Sequence, residues 1–211
     1  MKPGPMKRGR LFVIAAPSGA GKTSLVEALL ESLPALRLSI SHTTRRQRPT
    51  ERDGREYYFV TVPQFQALVA QGAMLENARV FDNYYGTSRA FVEKQLAAGH
   101  DVVLEIDWQG ARLVRAAMPE CVSIFILPPS RASLAERLAR RATDSAEVIS
   151  RRLADSVADM SHYREFDYVV VNDDFATAVR ELKRIVAGDG AALVSSRPQL
   201  EPLLAELLAS A

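Results

Sequence analysis

An eight-residue segment near the amino terminus has the residue types and spacing of a phosphate-binding loop. It reads Ala16-Pro17-Ser18-Gly19-Ala20-Gly21-Lys22-Thr23. An apolar run precedes it and a helical pattern follows, which is the context in which G-x-x-x-x-G-K-[ST] binds phosphate. In such a loop, backbone N–H groups and the positive end of the helix bind the phosphates of a nucleotide. Lys22 would reach the β- and γ-phosphates, and the Thr23 hydroxyl could bind Mg²⁺. Ala16 replaces the first glycine, which is tolerated where φ is negative.

Two carboxylates lie at the end of a second apolar run. The segment Val102-Val103-Leu104-Glu105-Ile106-Asp107 has the composition of a buried strand, and residues two apart in a strand share a face. Glu105 or Asp107 could therefore hold a water on Mg²⁺ or an acceptor nucleotide. Acids at strand ends are also common as solvated ends or helix caps, and the segment alone leaves both interpretations open.

A basic segment, residues 41–49, suggests a second anion site. It contains Arg45 and Arg48 and ends at Pro49, so it does not fit a helix. Two guanidinium groups close together suit a phosphate dianion through paired charge-assisted hydrogen bonds, with Tyr57, Tyr84 and Tyr85 as further donors. A solvated basic loop is the alternative that this segment leaves open.

The wider pattern alternates apolar strands with amphipathic helices and predicts a doubly wound α/β core. The predicted strands are Leu11–Ala15, Val102–Ile106, Ser123–Leu127 and Tyr168–Val171. The predicted helices are Lys22–Ser32, Gln109–Ala117, Arg131–Arg141, Ala146–Met160 and Phe175–Val186. Residues 1–10 are expected to be flexible, and the tail, 188–211, carries one amphipathic leucine stripe expected to pack on the body or on a second subunit.

Several motifs in order resemble bacterial guanylate kinase over about residues 11–186. They are A-P-S-G-A-G-K-T, S-H-T-T-R-x-x-R-P, Y-Y-F-V, N-Y-Y-G-T, E-I-D-W-Q-G, I-F-I-L-P-P-S and V-N-D-D. The resemblance implies a P-loop kinase core at 11–38 and 86–187 with a parallel five-stranded sheet flanked by helices. It also implies an inserted mixed α/β lobe that binds GMP at 39–85 and a helical lid at about 137–152. The activity implied is transfer of the γ-phosphoryl group of ATP to GMP with Mg²⁺.

The resemblance also implies a role for each matching position. ATP would be bound by Ala16, Pro17, Ser18, Gly19, Ala20, Gly21, Lys22, Thr23 and Asn172. The GMP phosphate would be bound by Arg45, Arg48, Tyr57 and Tyr85, and the base would be read by Ser41, Glu76 and Thr87, with Asp107 nearby. The catalytic cations would be Lys22, Arg45, Arg137, Arg141 and Arg152. Mg²⁺ would be held by Thr23 and, through water, by Glu105, which stands where the family more often has Asp. Arg140 and Ala142 replace glycines that commonly flank the lid arginine.

Composition limits the other function classes. A net charge of +2 is too small to indicate nucleic-acid binding. The only cysteine, Cys121, excludes an intramolecular disulfide and fits a reducing compartment. The basic residues before Leu11 resemble a signal peptide, but the six apolar residues 11–16 are too few, and no run approaches the ~18 residues of a membrane span. We therefore expect a cytoplasmic protein with no nucleic-acid or membrane partner, and with a possible homo-oligomer contact through the C-terminal helix.

Two alternative functions compete with the kinase. A guanylate-kinase-like interaction module would bind peptides without phosphate chemistry, and the presence of Lys22, Thr23, Arg45 and Arg48 argues against it. A related kinase acting on a ribose bisphosphate would not need the set Ser41, Glu76 and Thr87, so this set favours GMP.

Overall fold

The computed structural model describes residues 7–80, 82–139 and 146–209. Arg141, the tip of the predicted lid and most of the predicted flexible N-terminus lie outside these ranges. The strands are β1 (Leu11–Ala15), β2 (Arg37–Leu38), β3 (His42–Thr43), β4 (Tyr58–Phe59), β5 (Met74–Val80), β6 (Asn83–Ser88), β7 (Val102–Glu105), β8 (Val122–Leu127) and β9 (Tyr168–Val171). The helices are α1 (Lys22–Ser32), α2 (Val62–Ala70), α3 (Arg89–Ala97), α4 (Trp108–Ala117), α5 (Arg131–Ala139), α6 (Ala146–Met160), α7 (Phe175–Ala187) and α8 (Glu201–Leu207).

The larger sheet has five strands in the order β2-β7-β1-β8-β9. Its outer pairs are parallel, with Leu38 opposite Val103 and Phe125 opposite Val169. All five residues of β1 are buried, as expected for a parallel strand covered on both faces. The predicted five-stranded core is therefore confirmed.

The smaller sheet is mixed, in the order β4-β3-β6-β5. Strands β5 and β6 are antiparallel, with Glu76 opposite Thr87 and an irregular register between Met74 and Glu76. Helix α2 begins at a capping box, in which Thr61 and Gln64 each bond the other's backbone, and this arrangement satisfies otherwise unpaired N–H groups. This sheet corresponds to the predicted mixed lobe, although its strand β6 continues to Ser88.

Some element bounds differ from those predicted. Strand β7 ends at Glu105, so Ile106 lies beyond the strand, where it carries an acceptor carbonyl for the site described below. The two-residue edge strand β2 was not predicted because two residues carry no readable periodicity. Helix α3 was also not predicted, although Ser88 caps it through Phe91 N.

The chain divides into two compact units. The first contains the described residues up to Val13, with Pro34–Glu105 and Gln109–Val122. The second contains Ile14–Leu33, Ile106–Trp108 and the described residues from Ser123 onward. Each unit has its own candidate ligand-binding groups.

The C-terminal tail packs on its own chain. Leu200, Leu204 and Leu207 are buried within the second unit, so the leucine stripe packs on the body, one of the two arrangements expected from the sequence. Within the ranges described, no helix has the length and apolar character needed to cross a membrane.

Candidate active site

The phosphate loop lies between β1 and α1 and depends on two glycines with positive φ. Gly19 has φ 87° and Gly21 has φ 88°, a conformation that residues with a Cβ rarely adopt. Gly21 is the N-cap of α1, and no described side chain caps that end of the helix. The first N–H groups of α1 therefore suit an anion, as helix N-termini do in general, and ATP binding by this loop stays a prediction.

Three side chains from distant parts of the second unit hold the loop's carbonyl oxygens. Ser156 Oγ donates to Ser18 O at 3.2 Å. Asn172 Nδ2 donates to Ala20 O at 2.8 Å, and Arg137 Nη1 donates to the same oxygen at 3.4 Å. In a planar trans peptide the C=O and the next N–H point in opposite directions. These contacts therefore aim the N–H groups of the residues after Ser18 and Ala20 away from the supporting side chains.

Two predicted ligand-binding residues, Asn172 and Arg137, contact each other as well as the loop. Arg137 Nη2 donates to Asn172 O at 3.0 Å. Asn172 is buried, and a Cβ added at Gly21 would lie 2.5 Å from its Nδ2. The motif resemblance implies that both residues lie near the nucleotide, whereas their contacts with the loop backbone are visible only in the structure.

Lys22 contacts the segment that follows β7. Its Nζ donates to Ile106 O at 2.6 Å, so the loop lysine and Asp107 belong to neighbouring stretches of the second unit. Thr23 is exposed in the first turn of α1. The predicted phosphate and metal ligands of the loop are therefore brought together at the start of one helix.

Trp108, next to Asp107, is held by two groups that the sequence did not single out. Its Nε1 donates to Asp159 Oδ1 at 2.8 Å, and its ring stacks on His162 with the centroids 3.5 Å apart. Burial is the main cause that raises the pKa of Asp159; the hydrogen bond from Trp108 lowers it, and Asp107 and Asp155 raise it further. Helical periodicity marks Asp159 only as polar, so no sequence signal identified its partner.

The first unit contains the residues predicted to read the base. Glu76 is 4% exposed and accepts a 2.6 Å hydrogen bond from Thr87 Oγ1. Ser41 is also buried and precedes β3 in the same sheet. A buried carboxylate needs charged or hydrogen-bonding partners. Thr87 is one such partner of Glu76, and the reading of a base by Glu76 stays a prediction.

The predicted acceptor-phosphate residues also lie in the first unit, around a carboxylate that the sequence analysis missed. Glu51 Oε1 accepts from Arg45 Nη2 at 2.7 Å, and Glu51 Oε2 accepts from Arg48 N at 2.8 Å. The hydrogen bond from Arg45 is the main cause that holds the pKa of Glu51 below its usual value. The guanidinium of Arg45 also lies 5.3 Å from the ring centre of Tyr57. Glu51 and Tyr57 thus fix the orientation of Arg45.

Tyr57 and Tyr85 complete this cluster. Their rings meet edge to face at a centroid distance of 5.9 Å. Burial, assisted by the negative charge of Glu105, raises the pKa of Tyr57 to about 12. The phenol therefore keeps its proton at neutral pH and can donate to an anion.

The structure assigns the predicted residues to two groups. The first unit contains Ser41, Arg45, Arg48, Tyr57, Glu76, Tyr85, Thr87 and Glu105. The second contains Ala16, Pro17, Ser18, Gly19, Ala20, Gly21, Lys22, Thr23, Asp107, Arg137, Arg152 and Asn172. Arg141 lies outside the described residues.

A parallel sheet with a phosphate loop between its first strand and helix, together with a separate mixed sheet, defines the chain as a protein of the P-loop kinase fold. The sequence profile described as guanylate kinase matches residues 8–188. The chain belongs to the guanylate kinase family.

Individual relatives agree with this membership. The chain is 55% identical to guanylate kinase of Methylococcus capsulatus, over 96% of this chain and 100% of the relative. It is 54% identical to guanylate kinase of Chromohalobacter salexigens, over 97% and 95%. The crystal structure of guanylate kinase from Anaplasma phagocytophilum is similar with a TM-score of 0.73, at 32% identity, covering 94% of this chain and 95% of that one. These findings confirm the resemblance seen in the motifs.

Proposed function

We propose that this chain transfers the γ-phosphoryl group of ATP to GMP, giving ADP and GDP in purine nucleotide metabolism. The observation that supports GMP most directly is the buried Glu76 carboxylate beside Thr87. Guanine N1–H and N2–H₂ are adjacent donors that one carboxylate accepts together, whereas adenine N1 is a lone pair that repels it. A site built around a buried carboxylate rejects a base without those donors by about 10⁴-fold.

The phosphate loop supplies the ATP side of the reaction. The positive φ of Gly19 and Gly21 and the start of α1 present N–H groups to the phosphates. Lys22 would leave its contact with Ile106 O, at 2.6 Å, for the more strongly charged β- and γ-phosphates. Asn172 remains our proposal for the adenine side.

The acceptor phosphate would be bound by Arg45, Arg48, Tyr57 and Tyr85. Arg45 donates one of its N–H groups, on Nη2, to Glu51. A guanidinium has five N–H donors in all, so other N–H groups of Arg45 remain for the phosphate. Because the pKa of Tyr57 is about 12, its hydroxyl is a donor throughout the neutral range. The acceptor phosphate is itself an oxyanion, so we assign no general base.

We propose Mg²⁺ as the cation of the reaction, arriving with ATP. In the part of the chain that the structure describes, no group of three or more His, Cys, Asp and Glu side chains could hold a metal ion. The exposed Thr23 hydroxyl instead fits Mg²⁺, which commonly combines one or two protein oxygens with substrate phosphates and waters. When bound, the ion neutralises charge on the β- and γ-phosphates. The water-mediated role of Glu105 stays a prediction.

Arginines would stabilise the transferring group. Phosphoryl transfer asks little covalent chemistry of the protein, so positioning and charge stabilisation supply most of the catalysis. Arg137 is half-buried against the loop, and Arg152 lies on α6. Together with Arg141 they stay our proposed catalytic cations, in addition to Lys22 and Arg45.

A substrate comparison tests the proposal. With ATP and Mg²⁺, the chain should phosphorylate GMP and show little turnover of AMP, dTMP or a ribose bisphosphate. A chelator should abolish the reaction and added Mg²⁺ should restore it. If only a ribose bisphosphate were phosphorylated, the result would support the alternative of a ribose-bisphosphate kinase. Binding of nucleotide without any transfer would support the peptide-binding interaction module. Cytoplasmic location and a homo-oligomer contact through α8 stay predictions from the sequence.

A further inference from the structure

One face of α6 contacts two separate segments of the nucleotide site. Arg152, Ser156 and Asp159 are spaced i, i+4 and i+7, so their side chains share a face of the helix. Ser156 bonds the phosphate loop at Ser18 O, and Asp159 bonds the indole of Trp108. The two contacts are less than one helical turn apart and both lie C-terminal to Arg152.

The first contact uses a serine in an unusual position. Ser156 is fully buried in the middle of a helix, where a hydroxyl commonly bonds the carbonyl four residues earlier in the same helix. Here it donates instead to Ser18 O, 138 residues away in sequence. Because the peptide is planar, this bond restrains the direction of the Gly19 N–H as well as the position of α6.

The second contact holds the segment after β7. The indole of Trp108 stacks on His162, with 11° between the ring planes, and its N–H is bonded to Asp159. His162 is in turn 2.7 Å from Glu165 through Nδ1. The same segment contains Asp107 and the Ile106 carbonyl that accepts from Lys22. The C-terminal end of α6 therefore holds the side chain of Trp108, which is adjacent in sequence to Asp107 and close to the Ile106 carbonyl.

We infer that Ser156 and Asp159 are positioning residues that fix α6 against the phosphate loop and the Ile106–Trp108 segment, and so hold Arg152 in place for phosphoryl transfer. The inference rests on the proposed kinase function. Neither side chain needs to touch substrate in this role. Their effect on catalysis acts through Arg152 and through the backbone of the loop.

The electrostatics of Asp159 indicate that its oxygen atom, rather than its charge, performs this role. Burial, the largest cause, and the neighbouring carboxylates Asp107 and Asp155 disfavour its ionised form, and they outweigh the hydrogen bond from Trp108, which favours it, so that the pKa of Asp159 is raised. An amide oxygen accepts a hydrogen bond from an indole N–H as a carboxylate oxygen does. Asp159→Asn should therefore preserve the contact, whereas Asp159→Ala removes it.

The experiment compares Ser156→Ala, Asp159→Ala and Asp159→Asn with wild type. Ser161→Ala is the matched control, because Ser161 is exposed and its hydroxyl donates only locally to Ala158 O at 2.7 Å. Steady-state kcat and KM for ATP and GMP are measured with thermal unfolding. Trp108 is the only tryptophan of the chain, so its fluorescence emission reports the second contact without any substrate.

We expect kcat to fall about tenfold in each alanine variant, the size of effect that a lost positioning hydrogen bond produces, with little change in either KM. Asp159→Asn should recover most of that loss. Trp emission should change in Asp159→Ala and stay unchanged in Ser161→Ala. If Asp159→Ala does not fold, Trp108→Phe keeps an aromatic ring without the donor and should show the same fall in kcat.

Wild-type kcat in the alanine variants would overturn the inference, and so would an asparagine variant as impaired as the alanine variant, since the charge would then be the essential property. Unchanged Trp emission in Asp159→Ala would also overturn it. Failure of the proposed function would give a different result from failure of this inference. In that case wild type itself would transfer no phosphate to GMP, whereas the Trp108 emission of Asp159→Ala would still change in the absence of substrate.

Discussion

The carboxylate of Glu51 accepts a 2.7 Å hydrogen bond from Nη2 of Arg45, and both side chains are largely shielded from solvent, at 11% and 18% exposed. The other oxygen of Glu51 accepts from Arg48 N. One acid thus connects the two arginines that we propose for the acceptor phosphate.

Glu51→Gln should raise KM for GMP about tenfold with a smaller effect on kcat, because Arg45 loses the charged partner that orients its guanidinium group. Initial rates at varied GMP measure this. Glu93→Gln is the control, since Glu93 is an exposed partner of Arg89 outside the cluster. A lower KM would show that Glu51 competes with phosphate for Arg45 instead of positioning it.

Glu76→Gln should weaken use of GMP far more than use of AMP. The amide replaces one acceptor oxygen with an NH₂ group that faces a guanine donor, which costs a few kcal/mol in transition-state binding, about the size of a charged hydrogen bond. The same amide can donate to adenine N1 and accept from N6–H₂. The measurement is kcat/KM for both nucleotides, and equal losses on both would mark Glu76 as a residue that supports the fold.

Lys22→Ala should nearly abolish transfer while leaving the chain folded. The lost charge belongs to the phosphate site, where removing one preorganised donor costs about 10²–10³-fold in kcat. Stability should fall by only about 2 kcal/mol through loss of the charged hydrogen bond to Ile106 O. Single-turnover assays and thermal unfolding measure the two effects, with exposed Lys94→Ala as control. Wild-type turnover in Lys22→Ala would contradict the proposed role of the loop.

Asp159→Asn should be more stable than wild type at neutral pH. The pKa of Asp159 is raised in the folded state, chiefly by burial, so folding is penalised when the group ionises. This penalty is absent below the unfolded pKa of about 3.9 and develops as pH rises through the folded value. The advantage of the asparagine variant should therefore shrink on acidification. Chemical unfolding at a series of pH values measures it, and an advantage independent of pH would contradict this cause.

Much of the core could be predicted because its signals are local. The bounds of β1 and β9 follow directly from apolar runs, and those of α1 follow from helical periodicity after the glycines of the loop. Strand β2 has only two residues and pairs with β7, far along the chain. Its existence depends on that partner, which no local pattern contains.

The sequence names candidate ligand-binding residues of the site but not the residues that support them. Arg45 and Lys22 stand in recognisable motifs, whereas Glu51 and Asp159 occur among many other acids with no spacing that names their partners. Their importance comes from contacts with Arg45 and Trp108 that form only in the folded chain. Side-chain contacts that form only on folding, such as that between Asp159 and Trp108, therefore cannot be predicted from local sequence patterns.

The phosphate loop and the side chains that orient it lie far apart in the order of synthesis. Ser18 and Ala20 leave the ribosome early, but their partners Ser156 and Asn172 follow 138 and 152 residues later. A nascent chain that ends before Asn172 contains the whole loop motif without the amide that holds Ala20 O. Tight nucleotide binding should therefore appear late in biosynthesis, once β9 has been made, so that incomplete chains do not sequester ATP.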